Sequence, residues 1–277
     1  MNNIYKPYKR GLKKPIVTLT TDFGNKDPYV ACMKGVILSI CPEATIIDIT
    51  HDISKFDIEE AAYILYRAYS FFPPGTIHVC VVDPGVGTER KPIAIKTRRY
   101  IFVGPDNGVL TIAAEDDGIE DIRVIESRYV MLSEVSYTFH GRDIFAPAAA
   151  WIALGYPLEM LGRSIDRIDV VKFDKPQISG GKVIGRIIYV DSYGNLVTNI
   201  KWDLIKDRVT FGEKVRLYYM GNEVSIPLSR SYGEVPLGEL VLIPGSGGFM
   251  EISVNMGNAS EKLGLKKGDQ IYMEINR

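Results

Sequence analysis

Cysteine and histidine are scarce in this chain, with three of each in 277 residues. Cys32, Cys41 and Cys80 lie in apolar surroundings without C-x-x-C spacing, which points to buried thiols rather than zinc ligands or disulfides. His51, His78 and His140 are scattered, with no H-x-x-x-H or H-E-x-x-H pair, so no metal is expected. G-x-G-x-x-G and G-x-x-x-x-G-K-[ST] are also missing, which removes the dinucleotide fingerprint and the phosphate cradle. Nor is there an excess of one charge. The chain has 33 Lys and Arg against 34 Asp and Glu, so no general attraction to nucleic acid or to an anionic membrane follows. No stretch approaches the ~20 apolar residues of a membrane span. The basic start, 1–14, carries Lys6, Lys9, Arg10, Lys13 and Lys14 with no apolar segment of signal-peptide length behind it, and reads as a solvated tail. A cytoplasmic protein is the expectation.

What is present is an apolar content of 46%, ordinary for a globular chain, and length enough for one large domain or two modest ones. Up to about residue 172 the pattern alternates. Residues 15–21, 44–49 and 76–82 are strand-like, 57–70 has helical periodicity, and 91–97 with 100–103 resembles a hairpin. Residues 142–154 are Ala-rich and helical, although Pro147 must sit in the first turn or bend the helix. Such alternation predicts an α/β domain over 15–172, a mostly parallel sheet covered by helices. Residues 173–182, with Pro176, Gly180 and Gly181, read as a linker. Short strands follow at 183–190, 196–200, 215–220, 223–227, 239–244 and 270–275, with Gly221-Asn222 as a hairpin signal. They predict an all-β, barrel-like domain over 183–277. A cleft between unlike domains or between subunits is where a ligand is expected.

Five loops carry candidate chemistry. Asp22-Phe23-Gly24-Asn25-Lys26-Asp27-Pro28 follows a buried strand, with Asp27 placed to cap a helix and Pro28 to open it. Ligands bind at that edge of an α/β sheet, and Asp22 can accept hydrogen bonds from two neighbouring hydroxyls, as a ribose diol offers. Asp83 ends a second strand in Val82-Asp83-Pro84-Gly85-Val86-Gly87-Thr88-Glu89-Arg90, where Arg90 can fold back onto it. His140 precedes the Ala-rich helix in Thr138-Phe139-His140-Gly141-Arg142-Asp143; there the helix dipole favours neutral imidazole, able to orient a water or to take its proton. His51, at another strand end, is a weaker site candidate, and His78 a core or edge residue. In the β half, Asp191 offers a counter-charge for an ammonium group, Tyr193 a flat face for a purine, and Asn195 an amide for a purine edge. Gly245-Ser246-Gly247-Gly248 forms a nest suited to a carboxylate or a purine edge. Each loop alone also reads as a plain turn or cap.

In series, T-D-F-G, V-D-P-G-V-G-T, F-H-G-R-D-x-F-A-P, D-x-x-G-N-x-x-T-N-I and S-x-G-x-x-E-I resemble the S-adenosylmethionine hydrolase family, also called S-adenosylmethionine hydroxide adenosyltransferases, over residues 15–275. Fluorinase and chlorinase are its relatives. The resemblance implies an α/β domain, a C-terminal β-barrel, and a homotrimer with each site shared between neighbouring subunits. It implies Asp83, Arg90 and His140 as the hydrolytic triad and Asp22 on the ribose diol, with Phe56 packing by the ribose. Asp191 then meets the methionine amino group and Tyr193 and Asn195 meet the adenine. Ser246 matches the serine of the C-terminal loop, with Glu251 and Val254 in the strand behind. The halide-using relatives carry Tyr where this chain has Asp83, and fluorinase has Ser at Gly141 and Arg at Gly247. The implied reaction gives adenosine and L-methionine with no cofactor, because a sulfonium is already a good leaving group. An adenosyl chloride synthase and a non-catalytic adenosine or S-adenosylmethionine sensor are the competing readings. An anionic Asp83 argues against the first, and retention of all three triad residues against the second.

Overall fold

Strands without charge fill the middle of the first sheet. The computed structural model describes residues 14–275, so the basic tail lies outside the described residues except for Lys14. The chain divides into two compact units between Val171 and Lys172. The first contains β1 (Ile16–Thr21), α1 (Tyr29–Ile40), β2 (Thr45–Thr50), α2 (Ile58–Ala68), β3 (Ile77–Val81), β4 (Pro92–Thr97), β5 (Ile101–Pro105), α3 (Thr111–Asp117), β6 (Ile119–Val124) and α4 (Ala146–Ala153). Its sheet order is β2-β1-β3-β5-β4-β6. The pairs β1–β2, β1–β3 and β3–β5 are parallel; β4 runs antiparallel to β5 and β6.

Both faces of this sheet are covered. Side chains alternate along a strand, and in β3 Val79 and Val81 join a core with Met33 and Ile37 of α1 and Ala149 of α4. Cys80 and Val82 join the opposite core, with Ala61 and Leu65 of α2 and Ala113 of α3. Asp57 caps α2 by accepting from the Glu60 N–H at 2.9 Å. At α1 the sequence expectation shifts by one residue: Pro28 occupies the N-cap and no side chain, Asp27 included, caps the helix. Pro147 does sit in the first turn of α4, and one turn of π-helix, Gly141–Phe145, precedes it. All three cysteines are free, Cys41 and Cys80 buried.

The second unit is antiparallel throughout its sheet. It contains β7 (Gln177–Ser179), β8 (Lys182–Val190), β9 (Leu196–Lys201), α5 (Trp202–Ile205), β10 (Lys214–Tyr219), β11 (Asn222–Pro227), β12 (Leu240–Pro244), β13 (Phe249–Val254), α6 (Ala259–Leu263) and β14 (Gln270–Glu274). The order is β11-β10-β14-β8-β9-β13-β12, with β7 paired to β8. A bridge from Leu228 to Leu242 joins the two ends of this order, so the sheet is a nearly closed barrel. Part of the linker stretch is therefore strand, folded onto β8 through Gly180-Gly181. The β10–β11 turn residues are Met220 and Gly221, both at positive φ, and Asn222 is the first strand residue, paired with Tyr219. Two positive-φ residues match the right-handed strand twist. Among the described residues no helix is long and apolar enough to cross a membrane.

His78 lies in the sheet as a fully buried residue, its Nδ1 2.8 Å from Thr18 Oγ1 and its ring stacked on Phe102. Burial lowers its pKa from 6.5 to about 3. Between those values the unfolded chain binds one proton more than the folded chain. The contribution of His78 is therefore whole above pH 6.5 and is lost as the pH falls. Replacing His78→Phe should make stability fall less steeply between pH 4 and 6, by about 1.4 kcal/mol per pH unit. Urea midpoints across that range read the slope; equal slopes would mean that the ring titrates normally.

Candidate active site

Parallel pairing of β1 with β3, Thr21 opposite Val81, puts Asp22 and Asp83 at the same carboxyl edge. Both line a cleft of about 580 Å³ in the first unit, a size suited to a nucleoside-sized ligand. Asp22 is buried, and its Oδ2 accepts from the Phe56 N–H at 2.9 Å. Lys55 Nζ donates to the Asp22 carbonyl, and the Gly24 N–H donates to the His51 carbonyl at 2.7 Å. Phe56 itself has φ +66° and is 68% exposed. A bulky residue in the left-handed region costs energy, and here the hydrogen bond to Asp22 helps to hold it. Its ring is thus presented to the cleft beside the carboxylate.

Arg90 returns to Asp83 as the seven-residue spacing suggested. Its Nε donates to Asp83 Oδ1 at 2.8 Å and its Nη2 to Asp83 Oδ2. The same Nη2 lies 2.8 Å from His140 Nδ1. Guanidinium has no acceptor, so His140 Nδ1 must accept and the ring proton resides on Nε2. Burial, then the positive charge of Arg90, holds the His140 pKa below its usual 6.5. The histidine is therefore a neutral ring with a fixed tautomer. Phe145 supports the cluster, its centroid 5.2 Å from the guanidinium carbon. Gly87 lets the two loops meet: it has φ +77°, and a Cβ there would fall 2.3 Å from the Tyr137 carbonyl oxygen.

One wall of the cleft is aromatic. The Phe139 centroid lies 5.8 Å from that of Phe23 and 5.1 Å from that of Tyr29. Gly141 fits against this group, since a Cβ would meet Met33 Sδ and Phe139 at 3.3 Å. Ser136 and Arg142 complete the wall and Asp143 lies behind it. Lys55, Ser136 and Arg142 were not singled out from the sequence. Lys55 offered one signal, its place immediately before Phe56. His51 does not line the cleft; it is buried against Thr21 Oγ1 at 2.9 Å and Asp48 Oδ1 at 3.0 Å, tying β1 to β2.

In the second unit the Asp191 loop closes on itself. Asp191 Oδ1 accepts from the Tyr193 and Asn195 N–H groups at 2.9 Å each, and Oδ2 from Asn195 Nδ2 at 2.8 Å. The turn leaves Tyr193 77% exposed and Asn195 buried. Gly194 is required there, because at φ +80° it abuts the Asn258 side chain. Glu251 is buried in β13, and Tyr232 Oη donates to it at 3.3 Å. Burial, followed by the charge of Glu251, pushes the Tyr232 pKa up to about 12. Tyr232 had no sequence motif to mark it. Ser246 lies in the turn between β12 and β13, while Val254 packs into the barrel core.

Fold and site define a protein with an α/β unit, a β-barrel unit and a carboxylate–guanidinium–imidazole cluster in a nucleoside-sized cleft. The family model described as SAM hydroxide adenosyltransferase N-terminal domain matches residues 17–162, and that for the C-terminal domain matches residues 185–272. The chain belongs to the SAM hydroxide adenosyltransferase family. It is 42% identical to the (R)-S-adenosyl-L-methionine hydrolase of Methanocaldococcus jannaschii, over 92% of this chain and 94% of that protein. It is 30% identical to a fluorinase from an Actinoplanes species, over 92% and 95%. Among solved structures, an uncharacterized conserved protein from Thermotoga maritima matches with a TM-score of 0.89 and 46% identity, covering 95% of this chain and all of that one.

Asp22→Ala tests the ribose assignment. A hydrogen bond to a charged group contributes roughly 1.5–3 kcal/mol, so adenosine affinity measured by calorimetry should fall at least tenfold. Unchanged affinity in a folded variant would leave Asp22 as a holder of Phe56 only.

Proposed function

We propose that this chain hydrolyses S-adenosyl-L-methionine to adenosine and L-methionine, with water attacking C5′ of the ribose. The observation that carries this reading is the Asp83 carboxylate, clamped through both oxygens by Arg90 and linked through it to His140. A sulfonium departs as a neutral thioether, so the reaction needs no acid for its leaving group and no metal or cofactor. It needs a nucleophile held in line with the C5′–S bond, and such positioning is worth roughly 7–11 kcal/mol in the best intramolecular cases.

In this reading the clamped Asp83 accepts a hydrogen bond from the attacking water and takes its proton as the C5′–O bond forms. His140 cannot act as a base through Nδ1 while that atom accepts from Arg90. Its role is to orient Arg90 and, through Arg90, Asp83. Asp22 holds the ribose diol, with Phe56 packed beside the sugar. Asp191 meets the methionine ammonium: its turn uses three of roughly four lone-pair sites of the carboxylate, leaving one and the charge. Tyr193 stacks on adenine and Asn195 reads its edge. Ser246 and Glu251 complete the pocket, with Val254 behind them.

Identities of 42%, 36% and 34% to proteins named (R)-S-adenosyl-L-methionine hydrolase, against 26–30% to fluorinases, support hydrolysis over halogenation. Charge supports it too, since a carboxylate beside the nucleophile repels a halide in a low-dielectric pocket. We read the assembly as the homotrimer that the family resemblance implies, with the N-terminal half of one subunit and the C-terminal half of its neighbour sharing a site. A cytoplasmic location fits the three free thiols.

Incubation with each sulfonium epimer of S-adenosylmethionine, in labelled water containing chloride, tests the reading. Adenosine carrying the label at its 5′ oxygen, from at least one epimer, is the expected product. Chlorinated nucleoside would establish halogenation, and no turnover of either epimer would favour a sensor.

A further inference from the structure

Asp143 stands one layer behind the cleft and does not line it. It is fully buried within the single π-turn Gly141–Phe145, a distortion that recurs at functional sites. Its carboxylate accepts from the Ser136 N–H at 2.8 Å, Ser136 Oγ at 2.6 Å, and Arg142 Nε and Nη2 at 2.6 and 3.2 Å. Ser136 Oγ in turn accepts from the Phe139 N–H at 3.1 Å. Arg142 lines the cleft and Asp143 meets its charge from behind. Although burial pushes the Asp143 carboxyl up, hydrogen bonds from Arg142 and Ser136 outweigh it and hold the pKa below 3.8.

The charges around the cleft are nearly balanced. Asp22, Asp27 and Asp83 face Lys55, Arg142 and the partner of Asp83, Arg90. His140 is neutral. Asp143 is therefore the charge that tips this set to net negative. We propose that Asp143 is a positioning residue which fixes the Ser136–Arg142 wall and cancels the Arg142 charge, so that the cleft prefers a cationic sulfonium to the neutral thioether of the same nucleoside. This rests on the hydrolase reading for the identity of the ligand. The preference matters for that chemistry, since S-adenosylhomocysteine has the same adenosine and amino-acid groups as the substrate and differs in lacking the methyl group and its positive charge.

Two ligands that are not cleaved read this directly by calorimetry: S-adenosylhomocysteine, and sinefungin, in which an amine-bearing carbon replaces the methylsulfonium and carries the positive charge. Asp143→Asn keeps the shape and leaves Arg142 uncompensated, so the preference for sinefungin should fall about fivefold, the effect of one charge at several ångströms in a partly solvated site. Arg142→Gln has the reverse effect and should raise the preference by a similar factor. It also decides the matter if Asp143→Asn fails to fold, because Arg142 is partly exposed. A purely structural role would weaken both ligands equally. An unchanged ratio in a folded Asp143→Asn, or in Arg142→Gln, overturns the proposal while leaving hydrolysis intact. Wild-type protein that binds neither ligand overturns this proposal, and the turnover assay in labelled water then shows separately whether the hydrolase reading stands.

Discussion

The Arg90 guanidinium makes three hydrogen bonds, two to Asp83 and one to His140, and these tie the loop after β3 to the turn before α4. Its cost is large, because both partners of the Asp83–Arg90 pair are nearly buried, and a buried pair repays its desolvation only when the geometry is good. The fork-on-carboxylate arrangement supplies that geometry. The sheet supplies the rest: the uncharged β1 and β3 lie side by side within it, and their ends fix where Asp22 and Asp83 stand. Gly87 and Gly141 are small for the same reason, since a side chain at either would push the two loops or the aromatic wall apart.

The geometry of the cluster also bears on which ring nitrogen of His140 carries the proton. Because Arg90 can only donate, the tautomer of His140 follows from geometry, and burial together with the neighbouring positive charge keeps the ring neutral. In the proposed hydrolysis, an imidazole so placed orients its neighbours instead of exchanging protons at Nδ1. The sequence alone left both roles open. In the barrel unit, Asp191 closes the 191–195 loop with three hydrogen bonds, and in the proposed function the same carboxylate meets the methionine ammonium.

Much of the fold was legible because the strands are short, β-branched and bounded by Gly, Pro and Asp. The barrel strands at 183–190 and 196–200 emerged nearly as read. Other features had no local signal. The π-turn at Gly141–Phe145 inserts an extra residue that a 3.6-residue period does not reveal. The three-residue β7 looked like linker because Pro176 and the Gly180-Gly181 turn surround it, and only pairing with β8 makes it strand. Asp27 had the chemistry of a cap, but Pro28 took the N-cap position. Asp22, Asp83 and His140 were visible from their places at element ends. Lys55, Tyr232 and the carboxylate of Asp143 gain meaning only from residues distant in sequence or from the depth at which they are buried. Site chemistry that acts through a neighbour leaves little trace in a single sequence.

The central claim is that the Asp83 carboxylate, held by Arg90, prepares the attacking water. Single-turnover hydrolysis of S-adenosylmethionine by Asp83→Asn tests it most directly, because the change is nearly isosteric and leaves Asp22 untouched. Loss of one preorganised polar partner typically costs about 10²–10³ in rate. The account predicts a loss of that size with adenosine affinity kept within a few-fold of wild type. Hydrolysis at the wild-type rate would contradict it.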